Sequence, residues 1–191
     1  MKNLSFLLLL FVLYCKNGKN PDKVSPANDT LQQKQSQAPV RVVDTLEEKR
    51  AFDKVYFGMK RAEAEKLISF ATYSKLGNEE YVFLPNYNQG DSLYFIEING
   101  RKKTALYYET DLLREWSNLD SIITAAYGKA DIDKAYPHFT EMHNGFVNFA
   151  KEWYLGDKVV KIGVAEDEAE FYTACWIYSD AMKKDTDRRN R

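Results

Sequence analysis

The feature that most constrains this chain is an order of elements that occurs twice: an amphipathic helical stripe, then three runs of strand length. The first copy opens at residues 55–71, VYFGMKRAEAEKLISFA, where Gly58 closes a short apolar run. Ala64, Leu67, Ile68 and Ala71 follow at i, i+3, i+4 and i+7, the spacing of one buried helix face. Arg61 and Glu65 fall one turn apart on the opposite face, where such a pair stays in water. The second copy opens near Ser117, with Asp120 three residues on as an approximate capping box. Its stripe is Leu119, Ile122, Ile123, Ala126 and Tyr127, and Gly128 stops it. Leu67 and Ile123 are therefore expected at corresponding buried positions.

Strand runs follow each stripe. Residues 81–84, 93–98 and 104–109 form the first set, with PNYNQGD as a loop and Asn99-Gly100 as the turn of a hairpin. Residues 149–155, 158–164 and 171–178 form the second, turned first at Gly156-Asp157. The segments LISFATYSK and IITAAYGK also echo each other across the two copies. The expected fold is α+β: two tandem α-β-β-β units, at about 55–110 and 111–182, with helices packed on an antiparallel sheet. Thr45-Leu46-Glu47-Glu48 fits a capping box and predicts a short helix over 46–52 at the start of a 45–182 domain. Residues 183–191, KKDTDRRNR, read as a solvated tail rather than a nucleic-acid arm.

Composition agrees with a sheet-rich core. All three Trp, twelve of thirteen Tyr and nine of eleven Phe follow residue 50, and large aromatic residues suit half-buried pleated surfaces. A foldable segment of about 140 residues buries roughly two-thirds of its unfolded surface and needs no covalent staples. The formal net charge of −1 supplies no basic field of the kind a nucleic-acid partner requires. Cys175, in FYTACWIY, reads as a small buried strand residue.

Cys15 reads differently. Lys2 precedes the apolar run LSFLLLLFVLY, which stops at Cys15 and has the length of a signal-peptide core rather than of a bilayer span. Val12-Leu13-Tyr14-Cys15 resembles the bacterial lipobox, in which the cysteine becomes the lipidated first residue; Tyr14 stands where a small residue is usual. Residues 1–14 are read as the signal peptide and Cys15 as the lipid attachment site, with plain secretion and an uncleaved anchor as alternatives. Residues 15–44 follow as a polar tether, with three of the five prolines and LQQKQSQAP at the centre. A flexible tether of about 25 residues holds a domain some 25–30 Å from its anchor on average. The expected place is the bacterial cell envelope, with the membrane reached through the lipid on Cys15.

FGMKRAEAEKL resembles the opening of the small outer-membrane assembly lipoproteins of the BamE/SmpA type, which begin a helix with a Gly, a polar cap and an acidic or aliphatic run. YGKAD resembles their exit from a second helix, with Ala130 at the place of a Pro and Lys60 at the place of a Ser or Thr cap. Two tandem helix-plus-meander units are similar to the architecture of the secreted β-lactamase inhibitor protein. Both resemblances imply a non-enzymatic module that binds proteins through a sheet face.

No motif assigns chemistry. His138 and His143 are the only histidines, with Glu141 between them, and neither a third His nor clustered Cys completes a zinc set. Glu109 and Asp111 are a candidate carboxylate pair at a strand end, and no nucleophile elbow, P-loop or dinucleotide fingerprint is present. The expectation is no enzyme, no metal and no cofactor. The functional expectation is a protein-binding or scaffolding lipoprotein whose partner is another envelope protein. The alternative is a carbohydrate or small-ligand binder that uses Tyr87, Trp116, Tyr136 and His138 as a stacking platform. Candidate interaction residues are Arg101, Lys102 and Lys103 on one predicted hairpin and Glu166, Asp167, Glu168 and Glu170 on its counterpart. Opposite signs on equivalent tips suit steering of a polar partner or head-to-tail self-association; solvated turns are the plain alternative.

Overall fold

A computed structural model describes residues 44–189. Cys15, the signal segment and almost all of the tether lie outside the described residues. Asp44 opens the first element: its Oδ1 accepts from the Leu46 amide at 3.1 Å and caps α1, Thr45–Lys49. The predicted helix over 46–52 thus starts and ends earlier, because β1 (Arg50–Phe52) pairs at once with β2 (Val55–Tyr56).

The long first helix is not present. Only α2, Arg61–Ala64, is helical, and Lys60 at its N-cap makes no side-chain cap bond. A short uncapped helix has little to offset its nucleation cost. Ala64 is buried, but Leu67 is 44% exposed and Ala71 has φ 56° with its amide bonded to the Phe83 carbonyl. The chain there is drawn to the sheet edge, and β3 (Tyr73–Leu76) pairs with β4 (Glu79–Tyr87).

β5 (Leu93–Asn99) follows as expected, but Asn99-Gly100 does not close a hairpin onto residues 104–109. The Gly100 amide instead donates to the Thr173 carbonyl, and β6 (Lys103–Thr104) crosses to another strand. Residues 105–112 are helical: a 3-10 turn over Ala105–Tyr107, then a π turn over Tyr108–Leu112, which runs into α3, Leu113–Tyr127. Tyr108, Leu112, Trp116, Leu119 and Ile123 are all buried. Their steps of four, four, three and four residues are those of one helix face, which extends the stripe back through the segment read as a strand. Ser117 therefore sits inside the helix, its Oγ donating to the Leu113 carbonyl. Gly128, at φ 75°, ends it as predicted.

After the short β7 (Ile132–Asp133), three strands form a meander: β8 (Val147–Leu155), β9 (Lys158–Asp167) and β10 (Glu170–Ser179). The sheet runs β3-β4-β5-β10-β9-β8-β7, antiparallel throughout, with β6 also paired to β10. Strand alternation puts Trp153, Val160, Ile162, Val164, Cys175 and Ile177 on the face that α3 covers. Trp153 Nε1 donates to the Gly128 carbonyl at 2.9 Å and Lys151 pairs with Asp120 at 2.7 Å, which ties the middle and the C-terminal end of α3 to β8. The opposite face carries Phe95, Glu97, Lys161, Tyr172, Trp176 and Tyr178, with Phe149 packed edge-on against Trp176.

The predicted solvated tail is instead α4, Asp180–Arg189. Asp157 holds its start, accepting from the Ala181 amide at 2.7 Å and from the Ser179 hydroxyl. Lys183–Asp187 and Lys184–Asp180 pairs at i, i+4 support its exposed side. The fold is α+β, one long helical segment over residues 105–127 packed on a seven-strand antiparallel sheet. No helix among the described residues is long and apolar enough to cross a membrane.

Candidate functional site

The charged residues picked out in the sequence meet at one end of the sheet. β6 joins the start of β10, with Thr104 opposite Glu170 and Lys103 opposite Phe171. That pairing lays residues 101–103 beside the β9–β10 turn, where Glu168 and Ala169 take φ of 52° and 65°. The two sets are not equivalent hairpin tips, since residues 100–102 link β5 to β6, which both pair with β10 and not with each other. Lys102 Nζ lies 2.5 Å from Asp167 Oδ2 within the chain. Arg101 reaches Glu80 at 2.9 Å and stacks over the Tyr73 ring, 4.1 Å from its centroid. Lys103 forms a short pair with Glu115, and both side chains are largely buried. Burial raises the Glu115 carboxyl above the usual range, and the neighbouring Lys103 opposes that rise. Gly100 is required beside it: a Cβ there would sit 2.5 Å from Glu115 Oε2. With these three cations engaged, Glu166, Glu168 and Glu170 have no ion-pair partner among the described residues.

An aromatic cluster underlies this end. Tyr108 packs edge-on against Phe139 and Phe171, with ring centroids 5.4 and 5.2 Å away, and tilts against Tyr136 at 5.3 Å. Its hydroxyl donates to the Pro137 carbonyl, while the Tyr136 hydroxyl donates to the Tyr108 carbonyl, each at 3.0 Å. Burial pushes the Tyr108 hydroxyl up to about 12, and nearby Glu109, Glu141 and Glu166 push the same way. Of the four residues predicted as a stacking platform, Trp116 and Tyr136 pack on each other inside this cluster at 5.5 Å. His138 caps a 3-10 turn, Phe139–Glu141, through a reciprocal box with Glu141. Tyr87 lies elsewhere, under the guanidinium of Arg61 at 4.4 Å.

Around the cluster, apolar side chains face solvent. Leu106 is 80% exposed and Phe146 is 71% exposed, with Tyr107 and Phe139 each more than two-fifths exposed. Leu106 and Tyr107 directly precede Tyr108, whose ring meets Phe139. Phe139 stacks on Phe171 at 5.3 Å, Phe171 stands opposite Glu166, and the Glu166 amide donates to the Phe146 carbonyl. No family model, curated protein or solved structure matches this chain. The site therefore has to be read from its own geometry. Large exposed apolar groups collected in one place mark an interaction surface more often than a solvated one. No group of three or more His, Cys, Asp or Glu among the described residues is placed to hold a metal ion. The sequence pointed to the acids of this end but not to Leu106, Tyr107, Phe139 or Phe146. Residues 104–109 read as a strand, and nothing local marks a Phe in HNGF as exposed.

Proposed function

We propose that this chain is an envelope lipoprotein whose α+β domain is a non-enzymatic docking module for another envelope protein. The observation that carries the reading is the solvent-facing group of Leu106, Tyr107, Phe139 and Phe146 on a rigid aromatic base. Aromatic anchors held by packing beneath them are what a protein interface uses to concentrate its binding energy. A lipid on Cys15 would hold the domain at the membrane through its tether. The two meanders β3-β4-β5 and β8-β9-β10, with their last strands adjacent at the sheet centre, support descent from a duplicated unit.

A photo-crosslinking residue at Phe146 or Leu106 in intact cells is expected to give one discrete adduct. The same residue at exposed Lys66, just after α2, should give none. Equal adducts from all three positions, or none from the first two, would remove the docking reading. Fatty-acid analogue labelling tests the anchor: label is expected on the wild-type protein and absent from Cys15→Ala.

A further inference from the structure

We infer that the occupant of this surface is a cationic segment of its partner, one that presents apolar side chains interleaved with Lys or Arg. The inference rests on the docking reading above and adds the partner's chemistry to it. Its ground is the excess, beside the apolar residues, of carboxylates that have no ion-pair partner among the described residues. Glu109 follows Tyr108 in its turn, Glu141 ends the turn that Phe139 opens and lines a hollow with Phe146, and the Glu166 amide donates to the Phe146 carbonyl. Glu168 sits in the β9–β10 turn, its amide donating to Asn144 Oδ1, and Glu170 opens β10 opposite Thr104. The cations of this end are already taken: Lys102 by Asp167, Lys103 by Glu115, Arg114 by Glu79 and Asp111. Lys134 borders the adjoining hollow with His138 and Glu141.

An apolar patch rimmed by carboxylates selects among occupants. A second copy docked by a two-fold contact through this end would set its own Glu109, Glu141, Glu166, Glu168 and Glu170 against the same row, and like charges so placed repel. An anionic lipid surface is repelled for the same reason. A polar acidic partner loses on both counts, since it offers neither apolar contact nor opposite charge. A basic segment with apolar residues gains both, with the charges raising the association rate and the apolar anchors holding the complex.

The test uses the full chain in nanodiscs of zwitterionic lipid and three fluorescent probe peptides of one length. Each alternates Leu or Phe with a second residue: Lys in the first, Gln in the second, Glu in the third. Empty nanodiscs supply the background. The Lys probe is expected to bind at least roughly ten-fold more tightly than the Glu probe, with the Gln probe between, and the gap should narrow as salt is added. The triple variant Glu166→Lys, Glu168→Lys, Glu170→Lys should reverse the order, with near-UV circular dichroism unchanged. Equal affinity for all three probes, or a preference for the Glu probe, overturns the cationic assignment. If that equal binding vanishes in Leu106→Ser with Phe146→Ser, the docking surface stands and only its charge preference falls. If the double serine variant leaves the Lys probe bound as before, the docking surface itself falls. A concentration-dependent dimer lost in the same double variant identifies a second copy as occupant and overturns the inference.

Discussion

Lys158 is fully buried on β9, its Nζ 2.6 Å from the Tyr127 hydroxyl, over that ring, and 3.3 Å from Glu47. Burial lowers its ammonium from the ordinary range, and Glu47 only partly offsets that. A lysine whose folded value is depressed weakens the fold wherever the unfolded chain holds the proton more readily. Stability is therefore expected to rise with pH between the depressed value and the ordinary lysine range, through this residue, and Lys158→Met should flatten that rise. At neutral pH, Lys158→Met is expected to be neutral or to stabilise by about 1–4 kcal/mol, since a buried ion pair often does no better than apolar packing. Urea unfolding at two pH values checks both statements; a loss above roughly 3 kcal/mol at neutral pH would mean that the charge itself supports the fold. Ile123 and Leu67 make the complementary comparison. Ile123 is 3% exposed and Ile123→Ala should cost about 2–5 kcal/mol, while Leu67, at 44%, should cost well under half of that on truncation.

At the scale of elements, two joints decide the architecture. Gly163 on β9 lies directly under β8, and a Cβ there would collide with the Asn148 carbonyl oxygen and backbone. The β8–β9 register shifts at the same place, between Phe149 and Lys151. Gly163→Ala is expected to cost on the order of 1–3 kcal/mol or to displace β8, because backbone cannot yield as a side chain can. Slower hydrogen exchange, or none changed, at the amides of residues 147–150 would speak against this close approach. The other joint is Asp157, which caps α4 from the β8–β9 turn. Asp157→Ala should remove about 0.5–2 kcal/mol and leave the α4 amides exchanging fast while the sheet stays protected.

For the whole molecule, the central contact is β5 against β10, strands that are far apart in the sequence. Tyr81, Phe83, Ile96 and Ile98 of the first half bury against a core completed by α3 and β10, and the Tyr81 hydroxyl donates to the Glu115 carbonyl on α3 at 2.7 Å. The halves are thus expected to unfold together in one transition. A fragment of residues 44–110 alone should lack near-UV structure, since its sheet face would lose the helix that covers it. Two separable transitions in the intact domain, or a folded fragment, would show that each half holds a core of its own.

The sequence by itself determined the fold class, the α3 stripe from Leu119 to Gly128, and the strands whose apolar residues are locally dense. β8, β9 and β10 lie where their aromatic and β-branched runs place them, turned at Gly156-Asp157. It failed where local pattern and tertiary demand conflict. ALYYE has the composition of a strand, but Tyr108 begins the row that continues through Leu112, Trp116 and Leu119 beneath the sheet, so the segment winds. EAEKLISFA has the period of a helix, but only Ala64 is fully buried, with Ile68 and Phe70 partly so, and one turn forms. KKDTDRRNR reads as a solvated tail, and residues 183–189 belong to α4, whose start Asp157, distant in sequence, caps. The candidate site follows the same division. Its carboxylates were legible as a charge run, whereas its apolar members become a surface only when β6, the β9–β10 turn and residues 138–146 are brought together. Period and composition report what a segment prefers alone; only the packed sheet fixes which residues are left facing water.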